Sequence, residues 1–380
     1  MDTLSFVPGK EYTPLPFVTA DFDYPLPDER IAQTPFMPRD GCRLLVLDKE
    51  TGAIRHRTFT DILDLLEPDD LLVVNDTRVL PARLNMRKES TGGAVEVLLL
   101  DKIESTDGHT QKWHCLVKPG KSARVGQRLV ALADKTTAPV LEAQIVGERD
   151  EGVRIIELTS LHGTVEEAIR TIGQVPLPPY ITQEVEDSEL YQTVYAHDER
   201  SAAAPTAGLH FTDELLQRIK DRGVRIATVR LDVGLDTFRP VSVKNPTDHH
   251  IHTEYIQVDT PTIEAIIETR KRSGRVVAVG TTTTRALETM YRSAERDVER
   301  DAPDVPETLR PFAGTSGLFI VPGYEFGVVD ALVTNFHVPR STLMMMVSAF
   351  ADRDTIMEVY RCALECEYRF LSFGDAMLIQ

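Results

Sequence analysis

Val276-Val277-Ala278-Val279-Gly280-Thr281-Thr282-Thr283-Thr284-Arg285 decides the fold class. A short apolar run reads as a buried strand, a glycine closes it, and a hydroxyl run opens a helix with arginine in its first turn. Strands that turn directly into helices build layered α/β sheets, which bind ligands where the strands end. Hydroxyls and unbonded N–H groups at such a helix start suit a carboxylate or a ribose. Pure N-capping needs only one of these threonines.

Outward from this stretch, the same alternation fills the chain after Gly163. Helices are expected at 165–172, 215–222, 262–272, 283–292, 342–350 and 356–365, and strands at 225–233, 255–258, 275–280, 317–321 and 331–336. Residues 293–311, charged and interrupted by three prolines, are expected as an exposed loop. Upstream, 43–47 and 54–59 read as a hairpin and 71–75 as a buried strand. Residues 1–40 form an extended arm punctuated by proline. Between them the rhythm changes. Six strand-like runs at 82–87, 94–103, 112–117, 127–132, 140–147 and 153–158 follow one another without a helix. That spacing predicts a small antiparallel β-barrel. The expected class is therefore an α/β catalytic domain of residues 1–78 plus 159–380, with the barrel of 79–158 inserted.

The net charge is −17, which argues against broad affinity for nucleic acid but permits a local basic patch. No apolar run approaches a membrane span, and the N-terminus lacks the basic and apolar regions of a signal peptide, so a cytoplasmic protein is expected. Cys42 and Cys115 are isolated, while Cys362 and Cys366 lie one helical turn apart and read as two buried thiols on one face rather than as half of a zinc site.

Several polar stretches can carry chemistry. Ser201-Ala202-Ala203-Ala204-Pro205-Thr206-Ala207-Gly208-Leu209-His210-Phe211 is a loop with little bulk, suited either to close approach of a ligand or to a crowded crossover. Asp76 and Arg78 follow the strand at 71–75, where α/β sheets bind ligands or simply turn. Lys118, Lys121 and Arg124 cluster around Pro119-Gly120, either a solvated hairpin tip or an edge that faces RNA phosphates. His249, His250, His252 and Glu254 invite a metal reading. On a strand, however, His249 points away from the others, and no CxxC or HExxH completes a set, so hydrogen-bonding histidines are preferred and no metal is expected. Asn335 and His337 end another strand, and Ser341 caps the next helix before Thr342. Arg369 and Asp375 fit either a site or a mutual pair.

Five stretches together, 75–83, 203–211, 279–288, 334–343 and 368–377, resemble the S-adenosylmethionine:tRNA ribosyltransferase-isomerase family, and the likeness runs in order from Tyr24 to Ile379. The resemblance implies a cytosolic enzyme of queuosine biosynthesis that moves the ribosyl part of S-adenosylmethionine onto a 7-aminomethyl-7-deazaguanine base at the tRNA wobble position. The ribosyl is isomerised to an epoxycyclopentanediol, and adenine and methionine leave. It implies tRNA and S-adenosylmethionine as partners, with no cofactor beyond the latter as co-substrate; a monomer is expected.

This chemistry calls for groups that titrate near neutrality, with His210, His252 and His337 as candidates and Asp76 and Glu254 as relays. Arg285 is the candidate for the methionine carboxylate. Arg78, Arg83, Pro205, Thr206, Ala207, Gly208, Phe211, Gly280, Thr281, Thr282, Asn335, Ser341, Thr342, Arg369 and Asp375 are the further candidates for substrate binding. The chain departs from the family pattern at Arg200-Ser201-Ala202, at Ser316-Gly317, and at Asp232 and Asp236, where His and Gly are typical. An altered acceptor, or an RNA-binding protein that has lost catalysis, are the alternatives these changes leave open.

Overall fold

The structure is a computed structural model that describes residues 5–6, 17–105, 107–120, 124–132, 138–183, 185, 187–234, 240–249, 251, 253–301 and 309–380. The chain divides into two compact units, one of Met1–Thr77, Pro179–Asp198 and Ala204–Gln380, the other of Arg78–Pro178 and Glu199–Ala203.

The larger unit is built on a ten-stranded mixed sheet in the order Ser5–Phe6, Phe312–Ser316, Glu254–Val258, Arg225–Leu231, Leu71–Asn75, Val276–Val279, Ala331–Asn335, Ala376–Ile379, Arg43–Leu47 and Ile54–Thr58. The four central strands, from Arg225–Leu231 to Ala331–Asn335, are mutually parallel. Leu71–Asn75, Val276–Val279 and Ala331–Asn335 are buried at every position, as parallel strands covered on both faces require, whereas Arg225–Leu231 alternates between buried and more exposed residues. On one face Leu72, Val74, Val277, Val279 and Val333 pack with Phe59, Ile62, Phe211, Leu215 and Ile219 into one core. The helix Thr281–Asp301 packs on the sheet as well. Because the central strands are parallel, they all end at the same edge, and that edge carries Asn75, Leu231, Gly280 and Asn335.

Asp70, 1% exposed, fixes the start of the central strand. Its carboxylate accepts the amides of Glu67 and Arg275 and a two-pronged guanidinium contact from Arg275, at 3.2 and 2.6 Å.

In the smaller unit, Arg83–Lys88, Ala94–Ser105, Thr110–Lys118, Arg154–Ser160, Pro139–Glu148 and Arg128–Leu132 are joined antiparallel in that spatial order. The last strand pairs back to the first through Arg87 with Val130 and Lys88 with Leu129, which closes a barrel. Inward residues alternate along each strand, and Leu84, Val97, Leu99, Ile145, Ile156 and Leu158 fill the interior. The helix Val165–Ile172 covers one end with Val165 and Ile169, and Thr164 caps it.

Three expectations are corrected. The helix that opens at Thr281 runs to Asp301, because the first of the three prolines stands at 303 and nothing before it interrupts the helical hydrogen bonds. The strand expected at 317–321 is instead Phe312–Ser316, antiparallel to Glu254–Val258. Leu318 and Ile320 are apolar because they pack with Met346 in a separate small cluster. Cys366 is exposed and Cys362 half-buried, since the helix Arg353–Glu365 ends there and buries its other face through Ile356, Val359, Tyr360 and Ala363.

Replacing Asp70 with Ala removes the acceptor of two part-buried amides and of two Arg275 guanidinium donors, so the larger unit loses about 2–3 kcal/mol. Urea unfolding read from the larger unit checks this, and a loss below about 1 kcal/mol, the size of an exposed pair, contradicts it.

Candidate active site

A small cavity, partly open to solvent, lies at the edge where the parallel strands end. Four segments line it: Ala204 to Ala207, Gly280 to Thr282, Thr334 to Val338 with Ser341 and Leu343, and Leu371-Ser372, joined by Tyr180 and Val233. No Asp, Glu, Lys or Arg stands among these residues. Polarity comes from hydroxyls, amides and one imidazole.

The turn from strand to helix makes the first wall. Gly280 has φ +89°, a backbone that residues with a Cβ rarely adopt, and a Cβ there would meet Ala207 at 3.5 Å. Its amide bonds Val333 at 2.7 Å, and its carbonyl accepts the first helical bond, from the Thr284 amide. The amides of Thr281, Thr282 and Thr283 are therefore left without backbone acceptors, as at every helix start. The four threonines divide their work. Thr283 and Thr284 donate back to the carbonyls of Val279 and Gly280, at 2.7 and 3.1 Å. Thr281 and Thr282 line the cavity, and Thr282 also accepts from Asn75 at 3.3 Å.

The second wall is held by Asn335. Its Nδ2 donates to His210 Nε2 at 3.1 Å and to the Leu371 carbonyl at 3.1 Å, while Thr206 donates to its Oδ1 at 3.4 Å. One amide thus ties together three of the four lining segments. Since Nε2 of His210 accepts, its proton is on Nδ1, which faces the Cys42 sulfur at 3.1 Å. Burial, with the positive charges of Arg369 and Arg39, pushes the His210 imidazole down to about 3. His337 is likewise pushed down to about 3 by burial. Its Nε2 lies 2.7 Å from the Thr334 hydroxyl, which itself leans toward the Asn335 carbonyl at 3.4 Å. On that basis we assign the proton to Nε2 and the lone pair to Nδ1. Both histidines are neutral near pH 7, which corrects the expectation that they titrate there: desolvation outweighs every partner they have.

Of the sequence candidates, Pro205, Thr206, Ala207, Gly280, Thr281, Thr282, Asn335, His337 and Ser341 line the cavity. Ser341 doubles as N-cap of Thr342–Ala351, accepting the Met344 amide at 3.1 Å. His210 stands behind Asn335. Gly208 is crowded rather than open, because a Cβ there would lie 1.9 Å from the Tyr195 hydroxyl. Phe211 is core, edge-on to Phe59. Thr342 does not line the cavity. Asp76 directly follows the strand end, and burial raises its carboxyl against a hydrogen bond from Thr228.

Two expectations about charge change. Arg285 does not reach the cavity lining; its guanidinium meets Glu254 at 2.8 Å in a buried pair, and Glu254 also accepts the Gly234 amide at 2.8 Å. Asp375 accepts the backbone amides of Arg43 and Arg369, at 2.9 and 2.8 Å, and Arg369 donates to the Thr34 carbonyl, so both fasten loops. In the smaller unit, Arg78 and Arg83 stand 3.8 Å from Glu199 and Glu96 respectively, and Lys118 and Arg124 are exposed. His252, His250, Asp236 and Lys121 lie outside the described residues. His249 is edge-on to Phe319.

Sequence reasoning did not single out Tyr180, Ser372 or Thr334. Tyr180 and Ser372 bond each other at 2.8 Å across 192 positions, a pairing that no local pattern signals. Asn75 ends a strand whose sequence fits either a ligand-binding strand end or a turn. It is wholly buried and joins strand to strand: its Oδ1 accepts the Leu231 amide and its Nδ2 donates to the Leu231 carbonyl, at 3.1 and 3.0 Å.

Comparison with known proteins bears on this cavity. The family described as "Queuosine biosynthesis protein" matches residues 19–379. An S-adenosylmethionine:tRNA ribosyltransferase-isomerase of Symbiobacterium thermophilum is 51% identical over 360 residues, covering 95% of this chain and 99% of that one. The enzyme of the same name from Staphylococcus saprophyticus is 49% identical over 94% of this chain and 98% of its own. Among solved structures, the S-adenosylmethionine tRNA ribosyltransferase of Thermotoga maritima superposes with a TM-score of 0.52 at 40% identity, covering 95% of this chain and 100% of that one.

The neutral histidines set a pH dependence. In the unfolded chain each binds a proton below about 6.5, and in the folded one only below about 3, so stability falls as pH drops between those values. The slope is up to about 1.4 kcal/mol per pH unit for each histidine. Unfolding of His337→Gln compared with the parent from pH 7 to 5 should show a shallower loss by one proton, and parallel curves would contradict it.

Proposed function

This chain belongs to the queuosine biosynthesis protein family, and we propose from that membership and from the cavity that it is an S-adenosylmethionine:tRNA ribosyltransferase-isomerase. It transfers and isomerises the ribosyl group of S-adenosylmethionine onto the 7-aminomethyl-7-deazaguanine base at the tRNA wobble position, giving epoxyqueuosine with release of adenine and methionine. The single observation that carries the reading is the cavity at the ends of the parallel strands, whose lining among the described residues is uncharged and combines a helix start with hydroxyls and His337.

The ligand's own charges suit such a lining. The helix start at Thr281 presents partial positive charge and unbonded amides to the methionine carboxylate, a task for which Arg285, held by Glu254, is not available. Thr281, Thr282 and Thr206 offer hydroxyls to the ribose. The sulfonium acidifies the adjacent 5′ hydrogens, and His337, neutral with its lone pair on Nδ1, is the acceptor in our assignment. His210 acts through Asn335 and positions rather than reacts. Asp76, with its raised carboxyl, is the second proton-handling group, and His252 stays a candidate. The neutral amine of the base attacks the ribosyl carbon, and the departing adenine takes up a proton.

Lys118, Arg124 and Lys121 are assigned to tRNA phosphates. Asp232, where the family pattern has His, is gripped by Arg230 at 2.9 and 2.6 Å and contacted by Thr77, so the carboxylate is neutralised within the strand. That pairing favours an unchanged acceptor. Among the described residues no helix is long and apolar enough to cross a membrane. We place the enzyme in the cytoplasm, acting as a monomer.

The protein incubated with S-adenosylmethionine and tRNA bearing the aminomethyl-deazaguanine base should yield the epoxycyclopentanediol nucleoside and free adenine by mass spectrometry of the digest. His337→Ala should lower kcat by about 10²–10⁴ while S-adenosylmethionine still binds. Binding of S-adenosylmethionine without any modified nucleoside from the parent protein would overturn the reading.

A further inference from the structure

The larger unit holds a second group of chemically distinctive side chains, none of which lines the cavity. A ring nitrogen of His56 and the sulfurs of Cys362 and Cys366 all lie within 4.8 Å of one another. We propose that these three residues form a binding site for a thiophilic divalent cation, zinc in the first instance, with its fourth position open to solvent.

The parts come from two elements that the fold holds side by side. His56 sits on Ile54–Thr58, the last strand of the large sheet, with its side chain exposed. Cys362 and Cys366 occupy successive turns at the end of Arg353–Glu365, where the Cys366 amide bonds the Cys362 carbonyl at 2.8 Å. Residues four apart on a helix share a face, so both sulfurs are presented together.

The donor set selects the metal. Two thiolates and an imidazole match the soft, nitrogen-and-sulfur preference of zinc and disfavour magnesium and calcium, which take oxygen. Tetrahedral Zn–S and Zn–N bonds of roughly 2.3 and 2.0 Å require the three ligand atoms to close by on the order of 1 Å. His56 and Cys366, both exposed, can make that adjustment toward the half-buried Cys362. Each thiol gives up its proton to solvent on ligation, and two thiolates then balance the two charges of the ion.

The surroundings supply the outer contacts such sites use. The Tyr368 hydroxyl lies 2.7 Å from His56 Nδ1, a contact that orients the imidazole beside the two sulfurs. The phenol is itself held, with the Arg43 guanidinium 3.7 Å above its ring. Arg43 also donates to the Cys366 carbonyl at 2.7 Å and so anchors the helix end. The ion would thus fasten the exposed edge of the sheet to its neighbouring helix.

The test uses the full chain, stripped of metal with a chelator and kept reduced. One equivalent of cobalt(II) should produce thiolate-to-metal absorption in the near ultraviolet and tetrahedral bands in the visible, both abolished by equimolar zinc. The double variant Cys362→Ser/Cys366→Ser should lose the thiolate band, and His56→Ala should keep it while weakening binding at least about tenfold. Absence of the band in the parent, or its persistence in the double variant, overturns the proposal. An assay that needs no variant reads the same point. Zinc should slow alkylation of Cys362 and Cys366 in the parent protein about tenfold or more, with buried Cys42 and Cys115 as internal references. Equal labelling rates with and without zinc also overturn it.

Discussion

Asn75 is the constraint on which the cavity depends. It stands at the end of the central strand, wholly buried, and its amide pairs both backbone groups of Leu231 on the neighbouring strand. The same side chain reaches Thr282 in the first turn of the next helix. A buried amide must find partners for both donor and acceptor, and here those partners lie on two other segments, so that three are tied together. Their ends are therefore fixed in one register. Gly280 can then turn sharply into its helix, Asn335 can close the opposite side, and the space between becomes a cavity rather than a packed edge.

Charge is handled by exclusion. Glu254 and Arg285 cancel each other out of the lining, Asp375 is spent on backbone amides, and Asp232 is held by Arg230. Both histidines are neutral. What remains is a set of fixed dipoles: hydroxyls, amides and a helix start. S-adenosylmethionine brings its own sulfonium, carboxylate and ammonium, and a lining of dipoles holds such a molecule without first having to break strong ion pairs. The dipoles are also preorganised, since Ser341 is locked to the Val338 carbonyl and the Met344 amide, and Asn335 to the Leu371 carbonyl and His210.

Much of this was legible in the residues, for identifiable reasons. The six barrel strands stand out because alternation of inward and outward side chains leaves a period of two in the sequence. The strands Leu71–Asn75 and Val276–Val279 stand out because double burial makes their runs continuously apolar. The strand-to-helix turn at Gly280 and the cap at Ser341 are local events with local signatures. What stayed hidden depends on distance along the chain. Nothing near Arg285 announces that Glu254 will meet it, nor near Tyr180 that Ser372 will. The neutrality of His210 and His337 follows from depth of burial, which motifs do not carry. The apolar run at 317–321 looks like a strand because a short cluster under a loop buries the same residue types as a sheet does.

The central claim is that S-adenosylmethionine occupies the cavity at the ends of the parallel strands. A crystal structure of the complex tests it most directly. The account predicts the methionine carboxylate at the amides of Thr281 to Thr283, the ribose among the hydroxyls of Thr206, Thr281 and Thr282, and the C5′ carbon within reach of His337. Density for the ligand elsewhere in the larger unit, with Thr281 and His337 untouched, would contradict it.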